Sequence, residues 1–343
     1  MAPAPAGSLA AGEVASLRDA VLAWYGSVGR DLAFRGTRDP YAILVSEVMA
    51  QQTQIARAET YWVAWMARFP TIEVLAASSP ADVLRAWRGL GYDRRAMNLL
   101  RCARAVLADH GGQLPRDVAA LERLPGLGPY TARALAALAF GVPVGAVDVN
   151  VRRVVGRVVG GPDGLRALGV AGIQAAADAL VPPDEPGRWT HALMDLGATI
   201  CRIRVPRCSE CPARPWCAAA AAWATQPDGG QRAARRGTAG ASSTGDASSG
   251  TRSVGGRTAH ERPAPFSTTR RWLRGRILDR LRGADDDAWT AFEEPIGEQG
   301  LPAVVATLRT LAGEGMVELA EAGEEPGTSA LRARLPAAVG LRP

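Results

Sequence analysis

The chain has 343 residues, 47% hydrophobic and 22% charged, enough for two or three domains with apolar cores. Its 40 basic residues are all arginine, set against 34 acids for a formal charge of +6 and a pI near 9.5, a balance that favours an anionic partner. The longest uncharged apolar run, residues 134–147, is interrupted by Gly141-Val142-Pro143 and is too short to span a bilayer.

The N-terminal segment 1–31 has no positive stretch ahead of its apolar residues, so it does not read as a secretory signal, and a cytoplasmic protein is expected. From about residue 16 to 222 apolar residues recur at three and four spacing, as in Leu44, Val45, Val48 and Met49, and the pattern is all-α. Glu47 lies within that run. It faces solvent or is deliberately buried, and periodicity does not decide which. Further on, Leu124-Pro125-Gly126-Leu127-Gly128 separates two helical patterns, with Pro129 where a first-turn proline sits. Gly126 and Gly128 would let a phosphate approach the backbone N–H groups at the next helix start; an ordinary helical hairpin turn is the alternative. Asp148 follows an apolar run and precedes a helix, as a helix cap or a functional carboxylate.

Four of the five cysteines, Cys201, Cys208, Cys211 and Cys217, fall within seventeen residues at gaps of six, two and five. In a reducing compartment such clustering suggests a metal site rather than disulfides. Only one pair has the short spacing usual for zinc, which puts an iron–sulfur cluster ahead of zinc without excluding it. Cys102 stands alone and reads as a small buried residue.

Residues 226–265 are rich in Gly and Ser and read as a flexible basic linker. A tail follows, in which Trp272, Ile277, Leu278 and Leu281 share a helical face; a second helix, a Gly turn and a strand suggest a small winged-helix-like domain over 266–343. Charge is uneven along the chain: 24 arginines face 19 acids in residues 1–225, 12 face 4 in 226–283, and 4 face 11 in 284–343. Arg270, Arg271, Arg274, Arg276, Arg280 and Arg282 are thus expected to follow a DNA backbone without reading sequence. The acidic wing is expected to pack on the catalytic core or to receive a repair-protein partner.

Five stretches, "SEVMAQQTQIARAETYWVAWMARFPT", "WRGLGYDRRAMNL", "LPGLGPYTARALAALAFG", "VDVNVRRVV" and "MDLGATICRIRVPRCSECPARPWC", resemble in order the motifs of the helix-hairpin-helix (HhH-GPD) DNA glycosylases with an iron–sulfur cluster, and among them the MutY-type adenine glycosylases. The resemblance covers roughly residues 21–222. It implies a two-lobed helical fold: a six-helix barrel lobe over 32–145 with the hairpin, and a cluster lobe over 146–225 against which segment 1–31 packs. It implies a 4Fe-4S cluster on Cys201, Cys208, Cys211 and Cys217, with Arg202, Arg204 and Arg207 as phosphate contacts.

The implied reaction is hydrolysis of the N-glycosidic bond of adenine mispaired with 8-oxoguanine or guanine in double-stranded DNA, by a nucleoid-associated monomer. Such a reaction passes through an oxocarbenium-like state and needs an acid for the leaving base and a carboxylate near the sugar. By resemblance Glu47 protonates adenine, which requires an apolar pocket that raises its pKa, and Asp148 stabilises or captures the sugar cation. Tyr130 and Asn150 orient the groups around it, and Asp195 matches a further carboxylate, a helix-surface acid being the plain alternative. Gln52 and Tyr92 match positions that intercalate when the base leaves the stack. Leu32-Ala33-Phe34-Arg35 stands where the family commonly has Leu-Pro-Trp-Arg, which alters a wall of the adenine pocket while keeping Arg35. No Nudix-like domain follows the linker, as in short relatives with a compact tail. Endonuclease III has a lysine at the position of Tyr130, and this chain contains none, so a Lys-dependent lyase step is excluded. Thymine or uracil excision opposite guanine, and a non-catalytic damage-binding or redox-responsive role, are the competing readings.

Overall fold

The computed structural model describes residues 9–225, 265–321 and 331–337; apart from Pro265, the linker expected over 226–265 lies outside the described residues. The first helices are α1 (Ala11–Val28), α2 (Pro40–Ala50), α3 (Ile55–Arg68), α4 (Ile72–Ala77), α5 (Pro80–Ala86) and α6 (Arg94–His110). They are followed by α7 (Val118–Glu122), α8 (Pro129–Phe140), α9 (Val149–Gly160), α10 (Gly164–Leu180), α11 (Pro186–Thr199) and α12 (Ala218–Ala224). The tail adds α13 (Arg270–Arg282), β1 (Thr290–Phe292), α14 (Leu301–Gly313), β2 (Glu318–Glu321) and β3 (Leu331–Arg334). The protein is therefore mostly helical with one small sheet near its C-terminal end. No helix among the described residues is long and apolar enough to cross a membrane.

Contacts divide the chain into two compact units, each entered twice: residues 1–52 with 114–243, and 53–113 with 244–343. The core of the first unit joins Leu17, Val21 and Leu22 of α1 to Val151, Val154 and Val155 of α9, Ile173 of α10, and Trp189 and Leu193 of α11. The N-terminal helix thus packs beside the elements that lead into the cysteine loop. Helix α2 starts at a cap from Asp39, whose side chain accepts from the Tyr41 N–H at 3.0 Å, with Pro40 in the first turn. Eight of its eleven residues are buried, Leu44, Val45, Val48 and Met49 among them, so α2 has almost no solvent face on which to place Glu47.

In the second unit Trp65 meets Trp87 edge to face, with ring centroids 5.4 Å apart, and Cys102 is fully buried as expected, its thiol pushed up to about 12 by burial. The tail sheet is antiparallel in the order β1-β3-β2, with Ala291 opposite Arg332 and Leu319 opposite Ala333. The described residues of the tail hold two helices and a three-stranded antiparallel sheet, where a second helix and a strand were expected. The face of α13 differs by one residue. Leu273, Ile277, Leu278 and Leu281 are buried, whereas Trp272 is only partly so and rests on Gly297, where a Cβ would come 2.7 Å from its ring.

The tail also corrects the expectation that its arginines are free to track DNA. Arg282 is buried, ion-paired with Asp93, and donates to the Leu84 carbonyl at 2.9 Å. Arg274 pairs with Glu314 at 2.6 Å, Arg276 with Asp279 at 2.8 Å, and Arg280 lies over the Phe292 ring. The acids of the tail are used in the same way: Glu314 also pairs with Arg94, Asp286 pairs with Arg85, and the Pro336 carbonyl accepts from the Ala81 N–H at 3.1 Å. The acidic segment packs on the arginine-bearing α5 and α6 of the second unit.

Candidate active site

The first unit brings Glu47, Tyr130, Asp148, Asn150, Arg35 and Asp195 into its interior from four helices and a short turn. Glu47 projects from α2 and accepts a hydrogen bond from the Tyr130 hydroxyl at 2.8 Å, a contact between residues 83 apart in sequence. Burial pushes the Glu47 carboxyl up to about 7; the bond from Tyr130 and the charge of Arg35 pull it down, and the charge of Asp148 pushes it up. Burial, reinforced by Glu47, raises the Tyr130 phenol well above its ordinary value, so it serves as a donor.

Asp148 is the cap of α9. Its Oδ1 accepts from the Asn150 and Val151 N–H groups at 2.8 and 2.7 Å, and its Oδ2 accepts from the Asn150 side-chain amide at 2.9 Å. The helix-cap reading is the one the geometry bears out, and the cap fixes the orientation of the carboxylate. Asn150 is held in turn by Arg153, whose guanidinium donates to its Oδ1 at 2.9 Å, to the Gly197 carbonyl at 2.5 Å and to the Cys201 carbonyl at 2.6 Å. Gly197 has to be glycine, since a Cβ there would sit 2.6 Å from that of Asn150.

Asp195 is not the helix-surface acid of the plain reading: it is 1% exposed. Arg35 bonds it through two nitrogens at 2.8 Å each, and Arg30 bonds it through Nε at 2.7 Å and its own N–H at 3.1 Å. Burial opposes ionisation of Asp195, but Arg35 and Arg30 outweigh it and hold the carboxyl down to about 2. The buried Nε of Arg35 has no hydrogen-bond partner among the described residues. A cavity beside it is bounded by Phe34, Arg35, Ser46, Phe140 and His191. Burial and the charge of Arg35 take the His191 imidazole down to about 3, which keeps it neutral. Sequence reasoning missed Arg30, Arg153 and His191. An arginine beside the α9 cap was visible in "VRRVV", but its partners Gly197 and Cys201 lie more than forty residues away.

The four clustered cysteines line one cavity with Val154, Val158, Leu196 and Ile200. Burial pushes the Cys211 thiol up to about 11. No group of His, Cys, Asp or Glu among the described residues closes around a single metal ion. Arg157 ties the loop to α9, donating to the Cys201 Sγ at 3.3 Å and to the Arg202 and Ile203 carbonyls at 2.7 and 3.0 Å. Arg202 and Arg204 are exposed, and Arg207 pairs with Glu210 on the surface.

The hairpin turn places Gly126 at φ 83° and Gly128 as the exposed cap of α8, with Pro129 in its first turn. Gln52 and Tyr92 share an unusual feature that no pattern gave: both are exposed non-glycine residues in left-handed backbone, at φ 53° and 50°.

Residues 45–164 match the model of the HhH-GPD superfamily of base excision DNA repair proteins. Adenine DNA glycosylase of Mycobacterium tuberculosis is 42% identical over 267 residues, covering 77% of this chain and 78% of the relative. The adenine DNA glycosylase of Mycolicibacterium smegmatis is 46% identical over 198 residues, covering 56% and 66%. Among solved structures, a thermostable thymine-DNA glycosylase superposes with a TM-score of 0.57 at 28% identity, covering 62% of this chain and 98% of that one. The chain belongs to the HhH-GPD superfamily of base excision DNA repair proteins, among its MutY-type adenine DNA glycosylases.

Proposed function

We propose that the protein removes adenine mispaired with 8-oxoguanine or guanine in duplex DNA by hydrolysing its N-glycosidic bond, and leaves the sugar–phosphate strand intact. The observation that carries this reading is the contrast between Glu47, which burial beside Tyr130 pushes up to about 7 so that it keeps a share of its protons near neutrality, and Asp148, held by three donors at a helix start. Tyr130 occupies Oε2 of Glu47, so Oε1 is the atom that carries the proton to the departing adenine. Asp148, fixed by Asn150, stabilises the sugar cation as the bond breaks. Arg35 and Asp195 form the rigid floor of the adenine pocket, and the unsatisfied Arg35 Nε–H suits an acceptor on the base. With no lysine in the chain, no internal Schiff base forms.

Gly126, Gly128 and the start of α8 hold a phosphate through backbone N–H groups, and Gln52 and Tyr92 fill the gap left by the extruded base. Arg202, Arg204 and Arg207 add phosphate contacts. Four thiols lining one mostly apolar cavity suit a polynuclear centre, so the cysteines fit a 4Fe-4S cluster held by Cys201, Cys208, Cys211 and Cys217. The cluster would anchor the loop that carries these arginines. Anaerobically prepared protein should be brown with about four irons per chain, and Cys208→Ser should lose colour and DNA affinity together; a colourless protein with one zinc contradicts the assignment. Acids of the tail left exposed, such as Glu293 and Glu294, are the ones a repair-protein partner would meet.

The test is single-turnover base release from duplexes carrying 8-oxoG:A, G:A, G:T or G:U. Adenine release should be fastest, with strand breaks appearing only after alkali or heat. Faster thymine or uracil release, or a borohydride-trapped adduct through an internal side chain, contradicts the reading.

A further inference from the structure

Three consecutive residues of the second unit, Tyr92, Asp93 and Arg94, are each gripped by the C-terminal module. The Tyr92 hydroxyl accepts from Arg271 at 2.9 Å while the same guanidinium lies over its ring, 4.1 Å from the centroid. Asp93 is ion-paired with the buried Arg282, and Arg94 with Glu314, which Arg274 holds from α13. Residues 91 and 92 sit at φ 69° and 50° and Gly89 at φ 95°, so the turn presents Tyr92 through left-handed backbone that a tyrosine adopts only under constraint. Tyr92 is nonetheless 41% exposed. A strained, exposed aromatic needs an outside support to keep one orientation. Among the described residues of this unit, Arg95 lies 5.6 Å from the ring, and Arg271 is the nearer cation and hydrogen-bonds the hydroxyl.

We infer that Arg271 is a positioning residue for Tyr92, and that the C-terminal module serves base extrusion by holding this turn ready rather than by contacting DNA itself. The inference rests on Tyr92 being an intercalating residue. An aromatic ring held in place before it enters the duplex loses less side-chain freedom on insertion, so extrusion is favoured without any new contact to the nucleic acid. Arg282 and Glu314 set the height of α13 against the turn, and Arg271 transmits it to the ring. Among the described arginines of α13, Arg282, Arg276 and Arg274 are ion-paired with Asp93, Asp279 and Glu314.

The experiment uses the full chain with duplexes carrying 2-aminopurine in place of the target adenine, whose fluorescence rises on unstacking, alongside single-turnover adenine release at saturating protein. Arg271→Ala should lower both by about tenfold, the combined worth of an exposed cation–π contact and a hydrogen bond, and Arg271→Lys should recover part of the loss. In a Tyr92→Leu background Arg271→Ala should have no further effect. The slope of log affinity against log salt should be unchanged by Arg271→Ala, since a residue bound to phosphate would lower it by about one. An equal loss in both backgrounds, or a reduced salt slope, overturns the inference in favour of direct DNA contact. A loss in Tyr92→Leu with none in Arg271→Ala overturns it while keeping the intercalation reading. Full extrusion by Tyr92→Leu removes that reading and the inference with it.

Discussion

Around Asp195 the protein supplies two arginines that bond both carboxylate oxygens, whereas around Glu47 it supplies a tyrosine hydroxyl and a wall of apolar side chains. The same functional group is thereby set in opposite states, down to about 2 in the first place and up to about 7 in the second. Burial penalises ionisation at both; the difference is that two arginines bond Asp195 directly, whereas Arg35 acts on Glu47 only through its charge. A buried acid left uncompensated is poised to give up a proton, and one clamped by arginines is a fixed part of the scaffold. Asp148 is held in a third way, its oxygens bonded by the backbone N–H groups of Asn150 and Val151 and by the Asn150 amide.

The strongest way to break this contrast is to remove the two carboxylates proposed to act. Glu47→Gln and Asp148→Asn should each lower single-turnover adenine release by about 10²- to 10⁴-fold with duplex binding retained, because their work is done in the transition state. Glu47→Gln should at the same time stabilise the fold. A carboxyl whose folded pKa lies above its unfolded value binds more protons when folded, so its cost sets in as pH rises above about 4.5 and is complete above about 7. The gain in urea denaturation at pH 8 should reach up to about 3 kcal/mol.

Next in size is the clamp. Arg35→Ala leaves Asp195 buried with Arg30 alone and should cost about 3 kcal/mol in urea denaturation. Asp195 has the opposite pH sign from Glu47: its contribution is present above about 3.8 and is lost as pH falls through about 2, so Asp195→Asn should flatten acid unfolding in that window. Tyr130→Phe removes a hydrogen bond that lowers the Glu47 pKa and should move the alkaline limb of the rate profile upward by about one pH unit. Smallest is Arg207→Ala. Its pair with Glu210 is exposed and should change stability by no more than about 0.5 kcal/mol, yet lower the salt slope of DNA binding by about one if it meets phosphate.

Much of the helical order and the hairpin could be read from spacing, since Gly128, Pro129 and Asp148 act through neighbours one to three residues away. Glu47 could not be placed because α2 is buried nearly all round and carries no amphipathic signal. Asp195 was ambiguous for another reason. Its partners Arg30 and Arg35 lie some 160 residues away, a pairing that local pattern does not contain. The arginines of α13 were read as a positive stripe because a charge count sees net field; it does not see that Asp93 and Glu314 already face them. Trp272 was set on one helical face with Ile277, Leu278 and Leu281, where the four-residue rhythm of Leu273, Ile277 and Leu281 decides instead.

The central claim, that Glu47 acts as a proton donor tuned to neutrality, is tested most directly by single-turnover adenine release from an 8-oxoG:A duplex between pH 5 and 9. The rate should hold level at low pH and fall about tenfold per unit above a midpoint near 7, where Glu47 loses its proton. A rate that is level across that range, or that rises with pH, would contradict it.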